Sequence, residues 1–435
     1  MKKFIKEIIS NPLFSGSAIM IVGSNATNFI NYIYHLIMGR LLGPSIYGEL
    51  ATLFSIIGLL GIIPSSLSLV IVKYVSSAKT EQDIDNIVGW FNKKVFLAGL
   101  GMFLAIFISA TYISSFLNIQ NHFLIIIMGG GFIFSLPALL NRSVLQGLLR
   151  FRQMVVSILV ENSLKLLLGV LLVYLGFSVG GAVAALVVAI WLGWILSRIA
   201  ITDYLKKETK LPPIRSLFQY SFPVLVQSFA MTSLYSTDLI LVKHFFSSYD
   251  AGIYASLSTL GKIIFFGTGP IGAVMFPLVA KKQSRGESYV KVFNLSMLLT
   301  IILSFIILAI YWLFPEIAIN ILYGSLYLEG ANLLVWFGIF ITFFTLSSLY
   351  VSYNLSMGKT SVVVLPSVAA ILQILGIWFY HSDLMQVLSI SILVNALLLT
   401  SLLIYSSYEK WVFEKHRKYR KYRKYRTGFS NRSGI

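Results

Sequence analysis

The sequence predicts an all-α polytopic membrane protein with about 12 transmembrane helices, arranged as two six-helix bundles related by a parallel pseudo-twofold repeat. Three observations support this prediction: the apolar composition, the placement of basic residues, and a sequence repeat between the two halves. The chain has 435 residues, of which 57% are hydrophobic and 11% are charged, and its mean hydropathy is +0.83. A water-soluble fold of this composition would expose a very large apolar surface.

Twelve apolar stretches are long enough to cross a membrane, because a helix needs about 20 apolar residues to span the hydrocarbon core. They cover roughly residues 14–39, 48–72, 95–117, 122–141, 153–176, 178–202, 218–245, 251–278, 292–314, 330–352, 360–380 and 384–407. An even number of spans places both termini on the same side of the membrane.

Basic residues occupy every second gap between these stretches. Thirty of the 34 Lys and Arg residues fall in alternate gaps or in the tail, and the intervening gaps carry almost none. Cytoplasmic loops are enriched in Lys and Arg, so we expect both termini to be cytoplasmic and the protein to lie in the cell membrane. Insertion topology and the anionic inner leaflet also account for the net charge of +18. Nucleic acid is therefore not expected as a partner.

The same patterns divide the chain into five regions. We expect an interfacial amphipathic segment at 1–13, an N-terminal six-helix bundle at 14–202, a cytoplasmic linker at 203–217, a C-terminal six-helix bundle at 218–407 and a basic cytoplasmic tail at 408–435. The tail contains three consecutive Lys-Tyr-Arg triplets, and docking to anionic membrane lipids explains it adequately. The chain has no cysteine, which excludes disulfides and thiolate metal sites.

The two halves repeat at an offset of about 204 residues. The run GRLLGPSIYGELATLFSIIGLL in the first half corresponds to KHFFSSYDAGIYASLSTLGKII in the second. The offset pairs Gly48 with Gly252, Ala51 with Ala255, Ser24 with Ser228, Asn28 with Thr232 and Asn31 with Tyr235. Six helices in each half, both halves starting on the same side, give a parallel repeat whose axis runs along the membrane normal. Such a pair of bundles usually encloses a central cavity.

Helix-breaking residues occur at nearly corresponding places in the second helix of each half. Pro64 is followed by two serines, and Thr268 and Gly269 precede Pro270. Corresponding interruptions indicate a substrate pathway in transporters, but Pro and Gly are also common in membrane helices that are merely kinked. Both interpretations remain open at this point.

Polar residues in the first span form a single stripe. Ser24, Asn28, Asn31 and His35 follow at spacings of four, three and four, which places them on one helix face. The seventh span carries a similar set, which is Ser228, Thr232, Tyr235 and Asp238. A stripe of this kind either makes hydrogen bonds between helices or lines a wet cavity, and its recurrence in both halves favours the cavity.

Charged side chains inside a span cost at least about 2.5 to 3.5 kcal/mol at the bilayer centre, so each needs a partner or water. Glu161 and Lys165 are four residues apart and could neutralise each other on the helix surface, either as a structural pair or as a functional one. Asp238 and Lys262 lie in helices joined by a short connection, and we expect them to pair. Asp238, Glu161 and Lys165 are the candidates for ion coupling.

Two more basic residues lie at the external ends of spans. Arg40 and Lys243 are nearly equivalent in the repeat and either extend to the interface or, together with Lys262, make the cavity basic. A basic cavity would select anions such as phosphate or diphosphate. The candidate substrate-binding residues are therefore Arg40, Lys243, Lys262, Ser24, Asn28, Asn31, His35 and Tyr235.

Several longer runs resemble a known family. They include QGLLRFRQMVVSILVENSLKLLLGVLLVYLGFSVGGAVAA, TDLILVKHFFSSYDAGIYASLSTLGK, ILYGSLYLEGANLL and YNLSMGKT. With the repeat above, they are similar to the polysaccharide biosynthesis or oligosaccharide flippases of the multidrug/oligosaccharidyl-lipid/polysaccharide (MOP) exporter superfamily, over residues about 10 to 405. The resemblance implies a V-shaped pair of bundles with alternating access, and it carries no invariant catalytic set.

The resemblance also implies a cargo, which is an oligosaccharide on a polyprenyl diphosphate, flipped from the cytoplasmic to the external leaflet for cell-surface polysaccharide biosynthesis. Polysaccharide-assembly proteins would be partners. A cation-coupled multidrug exporter on the same fold is the alternative, although it would favour an acidic cavity. A membrane glycosyltransferase or polymerase is less expected, because the sequence shows no catalytic constellation, nucleotide loop or zinc spacing. We therefore expect no enzyme activity, no cofactor and no metal site.

Overall fold

The computed structural model describes residues 12–78, 80–204 and 215–406, and these residues form helices and short connections. The expected interfacial segment at 1–13 and the basic tail at 408–435 lie almost entirely or entirely outside the described residues. Most of the expected linker at 203–217 also lies outside them.

The first half consists of six helices with short turns between them. They are α1 (Pro12–Leu60), α2 (Ile62–Ser77), α3 (Glu81–Phe116), α4 (Phe123–Gly147), α5 (Phe151–Leu172) and α6 (Ser178–Ile199). A π-helical turn at Val173–Phe177 joins α5 to α6, and a 3-10 turn at Thr202–Tyr204 follows α6.

The second half has the same order with one additional short helix. It comprises α7 (Arg215–Phe245), α8 (Ser248–Ser284), α9 (Val290–Leu313), α10 (Pro315–Leu322), α11 (Ala331–Ser356), α12 (Val364–Phe379) and α13 (Leu384–Ser406). Short 3-10 turns at Ser325–Gly330 and Thr360–Val363 precede α11 and α12.

Local sequence explains where individual helices begin. Thr80 precedes α3, its side chain accepts a hydrogen bond from the Asp83 backbone N–H (3.1 Å), and the Asp83 carboxylate accepts one from the Thr80 backbone N–H (3.0 Å). Ser247 caps α8 similarly by accepting from the Asp250 backbone N–H at 3.1 Å. These caps satisfy backbone donors that the first helical turn leaves free.

The helix α1 turns back on itself at Gly43. Gly43 has a φ of 70°, which favours glycine, and Pro44 starts the returning part. The rings of Tyr34 and Phe54 lie 5.6 Å apart, whereas twenty residues of straight helix would separate them by about 30 Å. The apolar pattern predicts a gap between residues 39 and 48, but in the structure the helix continues on both sides of a tight turn at Gly43.

A second tight turn separates α5 from α6. Gly176 has a φ of 93°, and a Cβ placed on Gly169 would lie 3.8 Å from the Cβ of Ala185. The described chain contains ten helical segments of membrane-spanning length and hydropathy, and the two that run through Gly43 and Gly176 each fold back to cross twice. The twelve expected spans are thereby accounted for.

The alternating direction of the helices gives the molecule two ends. The hairpin end carries Gly43, Gly176, the α3–α4 turn and the α7–α8 turn. The terminal end carries Pro12, where the first described helix begins, and Ser406, where the last one ends.

The two halves cross at equivalent glycines. A Cβ on Gly48 would lie 2.7 Å from the backbone N of Gly252, and a Cβ on Gly252 would overlap the carbonyl group of Pro44. Residues related by a twofold axis contact each other only where the axis passes between them. Since Gly48 and Gly252 are 204 residues apart, the pseudo-twofold axis runs through this crossing.

The prolines in the second helix of each half have different settings. In the first half one turn residue, Gly61, lies between α1 and α2 just before Pro64, but its backbone is close to helical (φ −67°, ψ −13°) and its N–H donates to the Ile57 carbonyl at 2.8 Å. In the second half α8 continues through Thr268, Gly269 and Pro270. The interpretation of these residues as corresponding interruptions is therefore wrong.

With six membrane helices in each half around a common axis, the all-α, twelve-span fold class predicted from the sequence is confirmed. The short helix α10, placed between α9 and α11 at the hairpin end, was not predicted.

The glycine crossing predicts a strong and local effect of added volume. We expect Gly252→Ala to lower the free energy of unfolding by about 1–3 kcal/mol, because the new methyl group would overlap backbone atoms of the other half. Thermal unfolding of the purified protein in detergent measures this effect.

Gly267→Ala in the same helix is the matched control, since a Cβ there meets nothing within 4 Å. It should leave stability unchanged or raise it, as alanine favours helix over glycine by about 0.5–1 kcal/mol. Equal stability of the two variants would contradict a close backbone contact at the axis.

Candidate functional site

A cavity of about 380 Å³ lies between the two halves, around the pseudo-twofold axis. Its walls come from both parts of α1 and from α5, α7 and α8. The lining residues are Asn28, Asn31, Tyr32, His35, Ala51, Phe54, Ser55, Ile57, Gly58, Lys165, Thr232, Tyr235, Ser236, Leu239, Ala255, Ser258, Thr259, Lys262 and Phe266.

Most of this lining consists of equivalent residues from the two halves. At the offset of 204 the lining contains eight pairs: Asn28 with Thr232, Asn31 with Tyr235, Tyr32 with Ser236, His35 with Leu239, Ala51 with Ala255, Phe54 with Ser258, Ser55 with Thr259, and Gly58 with Lys262. The cavity is thus built by the same helix faces in each half, although the side chains on those faces differ.

Lys165 supplies one positive charge to the cavity. Its side chain is almost completely buried, and its ammonium group donates a hydrogen bond to the Asn31 side-chain oxygen. The ammonium nitrogen lies 4.7 Å from the ring centre of Tyr34 and 5.4 Å from that of Phe54. Aromatic rings stabilise a cation but do not neutralise it.

The expected pairing of Lys165 with Glu161 is wrong. Glu161 instead forms a 2.5 Å salt bridge with Arg142, whose Nε also donates to the Ser157 hydroxyl at 3.1 Å. Arg142 comes from α4, and its guanidinium reaches Glu161 where α5 packs against α6 at Gly193. Glu161 is therefore held by Arg142, and Lys165 forms no salt bridge with any described carboxylate.

Lys262 supplies a second positive charge from the opposite half. Its ammonium nitrogen lies 5.1 Å from the ring centre of Tyr235, another lining residue. The expected salt bridge to Asp238 does not form. Asp238 is completely buried, and its Oδ2 accepts a 2.8 Å hydrogen bond from the Tyr254 hydroxyl.

The cavity therefore carries two ammonium groups, and none of its described lining residues is an aspartate or a glutamate. Burying a charge without an opposite charge is costly, and this cost falls when an anion enters. The site favours an anionic ligand with acceptor oxygens. In the described part of the chain no group of three or more His, Asp or Glu side chains is placed to hold a metal ion.

The polar stripe predicted from the first span divides between two places. Asn28, Asn31 and His35 line the cavity, as does Tyr235 from the seventh span. Ser24 lies one turn closer to the terminal end, in a neighbouring gap. All four residues of the stripe therefore line open space, and hydrogen bonding between helices is not their common role.

Three tyrosines close the cavity towards the hairpin end, and we call them the tyrosine lid: Tyr47, Tyr323 and Tyr327. The buried hydroxyl of Tyr47 lies 3.0 Å from that of Tyr323 and 3.2 Å from the hydroxyl of Thr259. The Tyr327 hydroxyl donates to the carbonyl of Gly39 at 2.7 Å. Each of these bonds joins the first half to the second.

Towards the terminal end the cavity continues into a gap of about 290 Å³ between α1 and α8. The gap shares Asn28 and Phe266 with the cavity and is otherwise mostly apolar. Its lining comprises Met20, Ser24, Asn25, Asn28, Phe265, Phe266, Gly269, Pro270, Ala273 and Val274. The continuous α8 and the polar face of α1 thus form the two sides of a passage that leads out of the cavity.

Arg40 and Lys243 do not line the cavity. Arg40 is exposed at the hairpin end, where its guanidinium contacts the last carbonyls of α10. Lys243 is completely buried, and its ammonium group donates to the Ser248 hydroxyl (2.7 Å) and to the carbonyl of Asn118 (3.3 Å). Both lie beyond the tyrosine lid.

Sequence reasoning missed several residues of the site. Thr259 and Ser236 would have been found by applying the offset of 204 further along α7 and α8. Tyr323 could not have been found in this way, because it lies in the connection after the unpredicted helix α10. The pairing of Arg142 with Glu161 depends on three-dimensional packing and leaves no signal in the spacing.

Comparison with known proteins agrees with this arrangement. A membrane protein of Methanocaldococcus jannaschii described as uncharacterized is 25% identical over 269 residues, which cover 58% of this chain and 64% of the relative. The match thus spans less than two thirds of that protein.

Two solved structures share the fold. An inward-facing multidrug resistance MATE family transporter of the MOP superfamily superimposes with a TM-score of 0.73 at 12% identity, covering 88% of this chain and 95% of that one. The lipid II flippase MurJ in an inward closed conformation gives a TM-score of 0.69 at 14% identity, covering 89% and 87%.

A family model described as "Polysaccharide biosynthesis protein" matches residues 37–332, which is more than half of the sequence. The resemblance noted in the sequence is thereby confirmed. The chain belongs to the polysaccharide biosynthesis protein family and has the all-α membrane fold of the MOP superfamily.

Proposed function

We propose that the protein moves a lipid-linked oligosaccharide, carried on a polyprenyl diphosphate, from the cytoplasmic to the external leaflet by alternating access. The observation that carries this proposal is a pair of ammonium groups, Lys165 and Lys262, that face one cavity from opposite halves and form no salt bridge among the described residues. Membership of a polysaccharide biosynthesis family supports the saccharide part of the cargo.

The head group would be held by two kinds of contact. Lys165 and Lys262 would bind the phosphate oxygens, since charge-assisted hydrogen bonds to ammonium groups are strong in a site removed from bulk water. Asn28, Asn31 and Tyr235 would form hydrogen bonds with sugar hydroxyls, and His35 lies close enough to take part. Ser24 would contact the cargo at the entrance to the cavity.

The lipid chain would leave the cavity through the gap between α1 and α8. Met20 from α1 and Phe265 and Val274 from α8 give the gap an apolar surface suited to an isoprenoid chain, while Ser24 and Asn28 keep a polar path for the head group. A passage of this composition lets an amphipathic cargo remain partly in lipid, where burial of apolar surface favours the chain.

The direction of transport follows from the expected topology. The basic gaps lie at the terminal end, so this end would be cytoplasmic and the hairpin end external. The cavity continues towards the terminal end and is closed by the tyrosine lid, which would place the present conformation in the loading state. The same proposal places the protein in the cell membrane, with its basic tail in contact with anionic lipids. It also gives the protein partners in polysaccharide assembly.

A multidrug exporter on the same fold is supported less well. A cationic drug would enter a cavity that already contains two ammonium groups and whose described lining has no carboxylate. Because the site offers charge and hydrogen bonds rather than a paired nucleophile and base, we also propose no catalytic role.

Ion coupling would use Asp238 rather than Glu161. Asp238 is completely buried without a salt bridge, whereas Glu161 is neutralised by Arg142. Two buried side-chain oxygens on α12 and α13, Gln373 Oε1 and Asn395 Oδ1, have no hydrogen-bond partner. The Gln373 amide donates to the carbonyl of Leu234, one turn before Asp238. This region could accept a proton or a sodium ion, and Lys165 would act in the cavity rather than in coupling.

Removal of the cavity charges tests the proposal. We expect Lys165→Gln and Lys262→Gln each to reduce flipping of a fluorescent polyprenyl-diphosphate oligosaccharide in proteoliposomes by at least about tenfold, the effect of losing a hydrogen bond to a charged group. The double variant should show no flipping above empty liposomes.

Lys282→Gln is the matched control, since Lys282 is an exposed lysine that pairs with Glu287 at the terminal end of α8. It should flip the lipid at the wild-type rate. Normal flipping by the double variant, or efflux of a cationic dye without lipid flipping, would contradict the proposal.

The coupling role of Asp238 leads to a separate expectation. Asp238→Asn should abolish stimulation of flipping by an imposed proton or sodium gradient, because the amide can neither ionise nor bind a cation as a carboxylate does. Cargo binding, measured on the purified variant, should remain within about twofold of wild type, since the carboxylate does not line the cavity.

Glu161→Gln serves as the comparison for coupling. It should lower thermal stability, because Arg142 would lose its buried partner, while the response to the gradient persists. A gradient response that survives in Asp238→Asn and disappears in Glu161→Gln would reverse the assignment.

A further inference from the structure

We propose that two latches, related by the pseudo-twofold axis, hold the hairpin end closed and set how often it opens. The first latch is formed by Arg40 at the end of the first span. Its guanidinium donates to the carbonyls of Leu322 (3.1 Å) and Asn320 (3.2 Å) and also contacts the carbonyl of Ile321. These are the last carbonyls of α10, of which that of Asn320 also accepts from the Gly324 backbone N–H at 3.0 Å, and a cation at a helix C-terminus is favourable.

The second latch is formed by Lys243 and His244 at the end of α7. The Nδ1 of His244 lies 2.5 Å from the carbonyl of Phe116, and the Lys243 ammonium donates to the carbonyl of Asn118 at 3.3 Å. The Asn118 amide donates in return to the carbonyl of His244 at 3.0 Å. The His244 ring also stacks on Phe116 at 4.0 Å.

The two latches occupy equivalent positions. The offset of 204 that pairs Gly48 with Gly252 also pairs Arg40 with His244, Asn320 with Phe116, and Leu322 with Asn118. In both latches the end of the first helix of one half thus binds the carbonyls that follow the third membrane helix of the other half. A shared geometry at equivalent positions, built from different side chains, indicates a role in how the halves move rather than a chance surface contact.

The position of the latches indicates which movement they control. Both cross between the halves at the hairpin end, on either side of the tyrosine lid, so the hairpin end cannot separate without breaking them. A two-state conformational equilibrium shifts by as much as the difference in interactions between the states. Weakening the latches should therefore raise the fraction of molecules that are open at the hairpin end, whatever the cargo is.

Distances between spin labels test this inference, and the absence of native cysteine simplifies labelling. One pair, Leu175→Cys with Tyr380→Cys, spans the two halves at the hairpin end on exposed side chains. A second pair, Ser76→Cys with Arg285→Cys, spans the terminal end. Distances would be measured by pulsed electron resonance in proteoliposomes without cargo.

The latch variants are Arg40→Gln and His244→Phe, the latter keeping an aromatic ring between Phe116 and Trp378. Each should raise the ratio of hairpin-open to hairpin-closed molecules by about tenfold, since Arg40→Gln removes hydrogen bonds from a charged group and His244→Phe removes the hydrogen bond to the Phe116 carbonyl. The double variant should raise the ratio further and change the terminal-end distance in the opposite direction.

Lys282→Gln is again the control, because it removes an exposed cation that makes no contact between the halves. Size-exclusion and thermal unfolding would show that each variant is folded, and either single variant suffices if the double variant is not. Unchanged hairpin-end distances in folded latch variants would overturn the inference. Equal opening in the Lys282→Gln control would also overturn it, by showing a general effect of charge.

Discussion

The two halves of the protein meet at Gly48 and Gly252, and the backbone contact between these glycines determines how the other parts are arranged. A side chain at either position would separate the two halves, because backbone atoms of one half occupy the space where its Cβ would be. The crossing fixes the pseudo-twofold axis, and the axis in turn brings equivalent faces of α1, α7 and α8 to the same cavity. Cavity, tyrosine lid and latches are therefore all arranged around one backbone contact.

Within this nearly symmetric frame the functional chemistry is asymmetric. The residue equivalent to Lys262 in the first half is Gly58, so only one half supplies a lysine at this position. Lys165 lies on α5, where it bonds to Asn31 and contacts two aromatic rings. The second helix has a turn residue at Gly61 in the first half and is continuous in the second half, where α8 forms one side of the gap with α1. Departures from the repeat thus coincide with the places where an amphipathic anion would be bound and admitted.

The sequence predicted the number of spans, the repeat and most of the polar stripe, because hydrophobic length and helical period are local properties of the chain. It failed where a partner is chosen by packing between distant helices. The spacing of four residues suggested a pair between Glu161 and Lys165, yet Glu161 forms its salt bridge with Arg142 from α4. Asp238 was expected to pair with Lys262, yet it bonds Tyr254 instead. Arg40 and Lys243 are only nearly equivalent, since the offset pairs Arg40 with His244, and only the structure shows that both basic residues bind carbonyls beyond the lid.

We propose that the cavity selects a diphosphate because two lysines from opposite halves face it and none of its described lining residues is a carboxylate. Calorimetric titration of the purified protein with inorganic diphosphate, and separately with a cationic dye, tests this proposal. We expect wild type to bind diphosphate and not the dye, and the Lys165→Gln, Lys262→Gln double variant to bind neither. Dye binding by wild type, or diphosphate binding that survives in the double variant, would contradict it.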